Sequence, residues 1–406
     1  MPQTYVYRVR DKAGKTLEGS LEGDSPGLVA ARLRQMGYVP VAISAKGGGG
    51  MSKELTLPFL GSRISQKDVA VMSRQFATMV DSGLSLLRAL TILAEQTESK
   101  PLAGVINEVR MDVERGSSLS QALGRQPKAF SRLFVAMVRA GEAGGVLDSV
   151  LRQLASTIEK QVELRRKIRS AMTYPTAVMC LVLLILTAML LFVVPQFKSI
   201  YAQLGGKLPY PTRVLLLISH LFTKFFPVVV AAVVVGIWLF RRWIRTAKGQ
   251  SAWDGFKLRV PLFGKLVHKT ALSRFSRTLA SLMRAGVPIL EALEITKETV
   301  GNTRFATAVG DMQVGVKGGE AMARRLAEHS VFPPMVTQML AVGEETGAID
   351  TMLDKVAEFY EQEVEAMVNA LTSLLEPLLI VVLGGAVGGM VISLYLPMFD
   401  IINLIH

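Results

Sequence analysis

Three apolar runs divide a chain that otherwise shows the pattern of amphipathic helices. The runs at 176–194 and 377–399 carry no charged residue, and each is long enough to cross about 30 Å of hydrocarbon. The run at 214–240 is less uniform, because it contains His220 and Lys224. The pattern predicts three transmembrane helices, over residues 171–197, 213–240 and 371–399.

Between the runs, apolar residues recur at helical spacing. Glycines follow several of these segments, as at Gly83, Gly116 and Gly141, where a left-handed residue commonly ends a helix. Short helices joined by tight turns are typical of an antiparallel bundle. We therefore predict one helical bundle over residues 64–170 and a second over residues 241–370.

The second bundle and the run after it repeat the first. The segment RAGEAGGVLDSVL begins at Arg139, and AVGEETGAIDTML begins at Ala341. Four pairs keep an offset of 202 residues: Gly141 and Gly343, Asp148 and Asp350, Pro175 and Pro377, and Pro195 and Pro397. So long a period indicates a duplicated domain rather than a solenoid.

Residues 1–46 are predicted to form a separate α+β module. TYVYRV and TLEGSLEG alternate like strands around a turn, a helix follows Ser25, and YVPVAIS supplies a third strand, which gives the order ββαβ. So small a unit buries little apolar surface, and we expect a docking role for it. The glycines at 47–50 predict a flexible linker over residues 47–63.

Charge sets the expected orientation in the membrane. The formal net charge is +13, and the basic residues cluster beside the apolar runs, as at Arg165, Arg169 and Arg241. Short loops rich in Lys and Arg lie on the cytoplasmic side. This rule predicts cytoplasmic bundles and N-terminus, an external loop over 198–212 and an external tail over 400–406.

The same basic clusters favour anionic lipid as a partner over nucleic acid, since the chain has no nucleic-acid-binding motif. The single cysteine, Cys180, cannot form an internal disulfide. The four histidines show no metal-ligand spacing. The glycine run at 47–50 lacks the Lys-Ser/Thr ending of a phosphate loop, so no cofactor is expected.

Taken together, the ordered motifs resemble one family. They are the duplicated helical module, the repeated Gly-Glu-x-x-Gly segment, the Tyr174-Pro175 and Glu376-Pro377 steps into the membrane, and the closing YLPMFD. The chain resembles the GspF/PilC family, the inner-membrane platform proteins of type IV pilus assembly and type II secretion. The SLYLPMFDIINLI tail and the ββαβ start are more similar to the pilus branch.

The resemblance implies a protein without a reaction of its own. Its cytoplasmic modules would contact a hexameric assembly ATPase, with a retraction ATPase as a further partner. Its spans would contact pilin or pseudopilin helices, other inner-membrane assembly proteins and further copies of the same chain. ATP-driven movement of the platform would then insert or extract pilin subunits.

Three alternatives remain open at this point. The first is the equivalent platform of a type II secretion system. The second is a small transporter with an internal repeat, although the spans have few of the mid-bilayer polar groups that transporters use. The third is a membrane enzyme. The lack of a recognisable combination of nucleophile, base and metal ligands in the sequence argues against it.

The repeated turns are the first candidate site. One interpretation is geometric: glycine turns the chain, and the carboxylates lie near the start of the following helix, where its dipole favours negative charge. The other is contact with a partner chain or a divalent ion, although two carboxylates are few for a selective calcium site. The residues are Gly141, Glu142, Gly145, Asp148, Gly343, Glu344, Gly347 and Asp350.

Two further candidates lie at the membrane. The first is the pair of proline steps, which either bend a long helix or form a hinge that passes motion into the bilayer. Its residues are Tyr174, Pro175, Glu376 and Pro377. Glu376 lies either at membrane depth, where carboxylates are often functional, or in the interface. Small residues spaced by four let helices approach closely, which predicts packing against another copy or a pilin through Gly384, Gly385, Gly388 and Gly389.

The predicted fold class is therefore mainly α. Two homologous cytoplasmic bundles are each followed by a transmembrane helix, three transmembrane helices are present in all, and a small α+β module precedes them. The expected location is the inner membrane.

Overall fold

The computed structural model describes residues 3–10, 16–23, 26–45, 64–196, 210–261 and 263–404. The chain forms two compact units, Met1–Arg63 and Ile64–His406. The predicted linker at 47–63 and most of the predicted external loop, residues 198–209, lie outside the described residues.

The first unit is a small sheet with one helix. Strands β1 (Gln3–Arg10) and β2 (Thr16–Gly23) are followed by helix α1 (Pro26–Gln35) and strand β3 (Val39–Ala45). The strand order is β2-β1-β3, with both pairings antiparallel. Because residues four apart on a strand share a face, Tyr5 and Val9 of β1 meet Val29 and Leu33 of α1 in a small core.

The second unit begins with six helices, in which serine caps and left-handed glycines mark several of the ends. Ser118 accepts a hydrogen bond from the backbone N–H of Gln121, and Ser131 accepts one from Phe134. Gly83 has a φ of 83°, which glycine adopts at little steric cost. The helices are α2 (Gln66–Asp81), α3 (Leu86–Gln96), α4 (Lys100–Glu114), α5 (Leu119–Gly124), α6 (Arg132–Gly144) and α7 (Leu147–Ala188).

Eight helices follow in the part of the chain that the structure describes. They are α8 (Tyr210–Ile244), α9 (Ala247–Arg259), α10 (Phe263–Arg284), α11 (Ile289–Thr299), α12 (Thr303–Lys317), α13 (Met322–Ala327), α14 (Pro334–Thr346) and α15 (Ile349–Leu404). Helices α10 to α15 repeat α2 to α7. The offset is 203 residues at the start of α11 and 202 at the start of α14, because the connection before α14 is one residue shorter.

The two copies of the bundle share a continuous apolar core. Phe76 and Phe134 are buried in the first copy, and Phe275 and Phe305 are buried in the second. Helix α2 packs along α7, α10 packs along α15, and α7 also packs against α15. The bundles therefore form a single packed body from which α7 and α15 extend.

Both long helices are continuous from bundle to apolar run. Helix α7 passes through a π-helical turn at Met189–Val193 and continues to Gln196. The described residues contain two helices long and apolar enough to cross a membrane, Leu147–Gln196 and Ile349–Ser393. The predicted second span, residues 213–240, lies within α8 and stays a prediction as a membrane crossing.

Some of the predicted domain boundaries lie within continuous helices. The boundaries at 170/171 and 370/371 fall inside α7 and α15, because a helix that leaves a bundle for lipid gains nothing by breaking its backbone hydrogen bonds. Helix α15 also extends through residue 404 into the predicted external tail. Helix α6 does not end at Gly141 but continues to Gly144.

Candidate functional site

The carboxylate of Glu142 reaches back to an earlier helix. Glu142 lies in the last turn of α6. Its Oε1 accepts a hydrogen bond from the backbone N–H of Leu119 at 2.6 Å, and its Oε2 accepts one from Ser120 at 3.1 Å. These N–H groups belong to the first turn of α5, where backbone donors have no partner within the helix. Glu142 thus ties the end of α6 to the start of α5.

Glu344 makes the same contact in the second copy. Its Oε1 accepts from the backbone N–H of Met322 at 2.6 Å, and its Oε2 accepts from Ala323 at 2.9 Å. These are the first two residues of α13, the counterpart of α5. The repeated Gly-Glu motif therefore encodes the same clamp between two helices in both bundles.

The sequence interpretation paired these carboxylates with the start of the following helix, whereas the structure shows that they accept hydrogen bonds from the start of an earlier one. The caps are made to helices more than 20 residues earlier, which only the folded bundle brings close. Both carboxylates are engaged by the protein itself. The described residues contain no group of three or more His, Cys, Asp or Glu side chains that could hold a metal ion.

The glycines of each repeated turn have two separate roles. Gly145 and Gly347 have φ values of 69° and 71°, a left-handed conformation that glycine tolerates best. Gly141 is helical instead, and a Cβ there would lie 3.0 Å from the Cβ of Val150. Gly343 is equally close-packed, so these two glycines let the next helix cross at short range rather than stopping their own helix.

Asp148 and Asp350 pair with arginines inside their own bundles. Asp148 lies 3.4 Å from Arg152 on the same helix, and Arg152 lies 2.9 Å from Asp81 on α2. Asp350 lies 3.2 Å from Arg284 on α10. The structure therefore brings each of these aspartates to a cation within its own bundle.

The sequence interpretation missed a strong ion pair in the second bundle. Arg277 on α10 has a side chain only 5% exposed. Its Nε and Nη2 donate to the two carboxylate oxygens of Glu361 at 2.9 and 2.8 Å, and its Nη1 contacts Asp354. The first-bundle equivalents, Arg74 and Glu159, pair in the same way at a more exposed position. Aligning the two halves of the sequence brings out this shared Arg and Glu.

The two bundles are joined by polar contacts as well as by apolar ones. The hydroxyls of Thr157 and Ser281 lie 3.0 Å apart in a buried position, and the side-chain amide of Gln153 donates to the Ser281 carbonyl at 3.0 Å. Ion pairs also link the copies: Arg132 with Glu298, Arg139 with Glu291, and Lys167 with Glu365.

The two proline steps lie inside unbroken helices. Pro175 is buried within α7, whereas its neighbour Tyr174 is 55% exposed. Glu376 and Pro377 are both exposed on α15. Proline lacks the N–H that a helix uses, so each step removes one backbone hydrogen bond where the helix approaches its apolar run.

A polar contact joins two apolar helices near the far end of α7. The buried hydroxyl of Ser219 on α8 donates to the carbonyl oxygen of Leu190 at 2.7 Å. Leu190 lies in the π-helical turn, where the altered hydrogen-bonding pattern changes which carbonyls are available. This contact fixes α8 beside α7 along the apolar run.

The glycine face of α15 has no neighbour among the described residues. A Cβ added at Gly384, Gly385, Gly388 or Gly389 would meet no atom within 4 Å. The four glycines are thus not explained by packing within the described chain.

The fold is that of a duplicated helical bundle whose last helix, in each copy, continues into an apolar segment. A family model described as type II secretion system protein F matches residues 72–195 and again residues 275–397, and the model of the N-terminal domain of that protein matches residues 1–44. The double match confirms the internal duplication.

Full-length relatives agree with these matches. The chain is 45% identical to the type IV pilus assembly protein PilC of Thermus thermophilus over 401 residues, which is 98% of each protein. It is 39% identical to PilC of Myxococcus xanthus over 402 residues, 99% of this chain and 96% of the relative. The type II secretion system protein F of Xanthomonas campestris is 35% identical over 402 residues, 99% of both. The chain belongs to the GspF/PilC family, as the repeated motifs indicated.

Proposed function

We propose that this chain is the non-enzymatic inner-membrane platform of a type IV pilus assembly machine. It couples a cytoplasmic hexameric ATPase to the insertion or extraction of pilin subunits. The observation that carries the proposal is the continuity of α7 and α15, each of which begins in a packed bundle and ends in an apolar run. A force applied to either bundle is transmitted along such a helix without a flexible joint.

The proposed topology has three membrane crossings, with the N-terminus in the cytoplasm and the C-terminus outside. Helices α7 and α15 supply the first and third crossings, and α8 supplies the second. The contact between Ser219 and Leu190 supports α8 as a neighbour of α7 in the bilayer. Arg241 and Arg242 at the cytoplasmic end of α8 fit the positive-inside rule.

Three surfaces have distinct proposed roles. The bundles and the N-terminal module contact the ATPase, and the steps at Pro175 and Pro377 act as the points where bundle motion enters the membrane. The exposed glycine face of α15 packs against a pilin helix or a second copy of the chain, because small residues permit close helix contact.

The pilus assignment is favoured over type II secretion by the relatives. Two relatives named as pilus assembly proteins reach 45% and 39% identity, and the fimbrial assembly protein of Pseudomonas putida is 33% identical. The relatives named as secretion system protein F, from Xanthomonas campestris and Pseudomonas aeruginosa, are 35% and 34% identical. The second candidate is therefore the equivalent platform of a secretion system.

A deletion strain tests the proposal. The gene is removed from its host and returned as wild type, Glu376→Gln or, as a control at an exposed cytoplasmic position, Glu345→Ala. Surface pilin and secreted enzymes are then measured. We expect wild type and Glu345→Ala to restore pili without changing secretion. Restored secretion without pili would favour the second candidate, and full piliation by Glu376→Gln would remove the functional role of that carboxylate.

A further inference from the structure

A cavity of about 410 Å³ lies between the two bundles, beside the helix that continues into the first apolar run. Its walls come from α7, α10 and neighbouring segments. Its charged lining is unbalanced: a single carboxylate, Glu361, faces several cations, and that carboxylate is already held by Arg277 through two hydrogen bonds. The cations are Lys160, Arg165, Arg169, Arg274 and Arg277.

Arg274 is less exposed than Arg165 and Arg169, the two other arginines of the cavity that have no carboxylate partner in the described part of the chain. It is half-buried, and among the described residues it has no carboxylate within ion-pair distance. Burial, and then the positive charge of nearby Arg165, lower the pKa of the Arg274 guanidinium. A buried charge without a partner is costly. Arg165 and Arg274 both line the cavity, so an anion bound there would compensate both positive charges.

Three of these five cations have an apolar counterpart in the other copy of the bundle. The first-copy equivalent of Arg274 is Val71, and the second-copy equivalents of Arg165 and Arg169 are Met367 and Leu371, at offsets of 203 and 202 residues. The same fold is thus built with apolar side chains at each of these positions. The three arginines lie together where α7 of the first copy faces α10 of the second.

The position of the cavity points to the level of the lipid headgroups. Arg169 is the last charged residue before the uncharged run that begins at Thr176. At a rise of 1.5 Å per residue, Arg169 lies about 10 Å below the start of that run. Met172 also lines the cavity, so the space extends from the bundle toward the bilayer surface.

We propose that this cavity binds a phosphate-bearing anion through Arg165, Arg169 and Arg274. Guanidinium groups suit this ligand, because their planar donors match phosphate oxygens in pairs. The phosphate comes either from an anionic phospholipid at the cytoplasmic surface or from a free phosphate compound. Its binding joins α7 to α10, so it also strengthens the contact between the two bundles. The lipid source rests on the proposed membrane crossing of α7, whereas anion binding by the purified protein does not rest on the proposed function.

The test uses the full chain purified in detergent. In one arm phosphatidylglycerol is added, and in the other inorganic pyrophosphate; phosphatidylcholine is the neutral lipid control. Binding is followed by the rise in Tm and by retained lipid in native mass spectrometry. The variants are Arg274→Gln and Arg165→Gln, with Arg274→Lys to keep the charge and Arg324→Gln as an exposed arginine elsewhere in the second bundle.

We expect wild type and Arg324→Gln to be stabilised by at least one of the two anions and not by phosphatidylcholine. Affinity should fall at least tenfold in Arg274→Gln and Arg165→Gln and less in Arg274→Lys. Stabilisation by the lipid alone identifies a headgroup, and stabilisation by pyrophosphate identifies a free phosphate. Without anion, Arg274→Gln should be folded and at least as stable as wild type. Equal affinity of Arg274→Gln and Arg324→Gln, or no binding in either arm, would overturn the proposal.

Discussion

Arg152 and Asp354 occupy equivalent positions in the two copies of the bundle and carry opposite charges. Arg152 on α7 lies 2.9 Å from Asp81 on α2, and Asp354 on α15 lies 3.3 Å from Arg284 on α10. Asp81 and Arg284 are themselves equivalent at an offset of 203 residues. The duplicated fold therefore keeps the ion pair and reverses its direction.

This reversal predicts the behaviour of a charge swap in the first bundle. Asp81→Arg alone places two arginines together, and Arg152→Asp alone adds a carboxylate beside Asp148 and Asp81, so each lowers stability. The double variant recreates the arrangement of the second bundle and should recover most of the loss. Because these side chains are about half exposed, the coupling should be no more than about 1 kcal/mol.

Chemical denaturation of the full chain in detergent measures this coupling through a double-mutant cycle. The same swap across Arg284 and Asp354 should recover less stability, because Asp354 also contacts the buried Arg277. If the double variant loses as much unfolding free energy as the two single variants lose together, the two positions do not interact.

The second prediction compares Arg277 with Arg74. Arg277→Met leaves Glu361 and Asp354 without their buried cation, and breaking such a pair costs about 3–5 kcal/mol. Arg74→Met removes the equivalent but exposed pair, which is worth about 0–1 kcal/mol. Thermal unfolding of both variants should therefore show a large loss of Tm only for Arg277→Met. Equal losses would mean that burial does not set the strength of this pair.

The third prediction concerns the two helix clamps. Glu142→Ala and Glu344→Ala each leave two backbone N–H groups without a partner, and loss of a helix cap costs about 0.5–2 kcal/mol. Glu345→Ala, at an exposed neighbouring position, is the control and should be neutral. If Glu142→Ala abolished pili without changing stability, a contact with a partner chain would be the better explanation of the motif.

The fourth prediction is a pH dependence that arises from His268. Burial lowers the pKa of His268 below its ordinary value of 6.5, although one ring nitrogen lies 2.8 Å from the Val331 carbonyl oxygen. Below about pH 6.5, His268 therefore binds a proton more readily in the unfolded chain than in the folded one. Stability is full above pH 6.5 and is lost as the pH falls toward the lowered pKa.

The measurement compares Tm at about pH 7.5 and about pH 5.5 for wild type and His268→Gln, which keeps a hydrogen-bond donor for Val331. We expect a smaller pH-dependent loss in the variant. An unchanged difference between the two pH values would assign the acid sensitivity to other groups.

Much of this architecture could be predicted from local signals. The uncharged runs, the helical spacing and the glycine ends at Gly83 and Gly116 each depend on residues close together in the chain. The nearly constant offset between matching motifs revealed the duplication. The family followed from the order of the motifs rather than from any one of them.

The clamps and the cavity could not be predicted in this way, because they depend on contacts between distant segments. Glu142 meets Leu119 only once α5 and α6 are packed. From the sequence, Gly141 is interpreted as a helix end. Its actual role, a close contact with Val150, depends on how the next helix crosses α6. Arg274 could not be recognised as part of a cationic cavity from the sequence, because the cavity forms only where α10 packs near α7.

The central claim is that both bundles lie on one side of the membrane and are packed together. Thiol labelling tests it in cells that carry the chain with Cys180→Ser and one introduced cysteine. Lys100→Cys reports on the first bundle, Lys317→Cys on the second, and Lys207→Cys on the predicted external loop. A maleimide that cannot cross the inner membrane is added before and after that membrane is opened.

We expect the cysteines at positions 100 and 317 to react only after the membrane is opened and the cysteine at position 207 to react before. Labelling of one bundle in intact cells and of the other only after opening would contradict the account, because the contact between Thr157 and Ser281 could not then form.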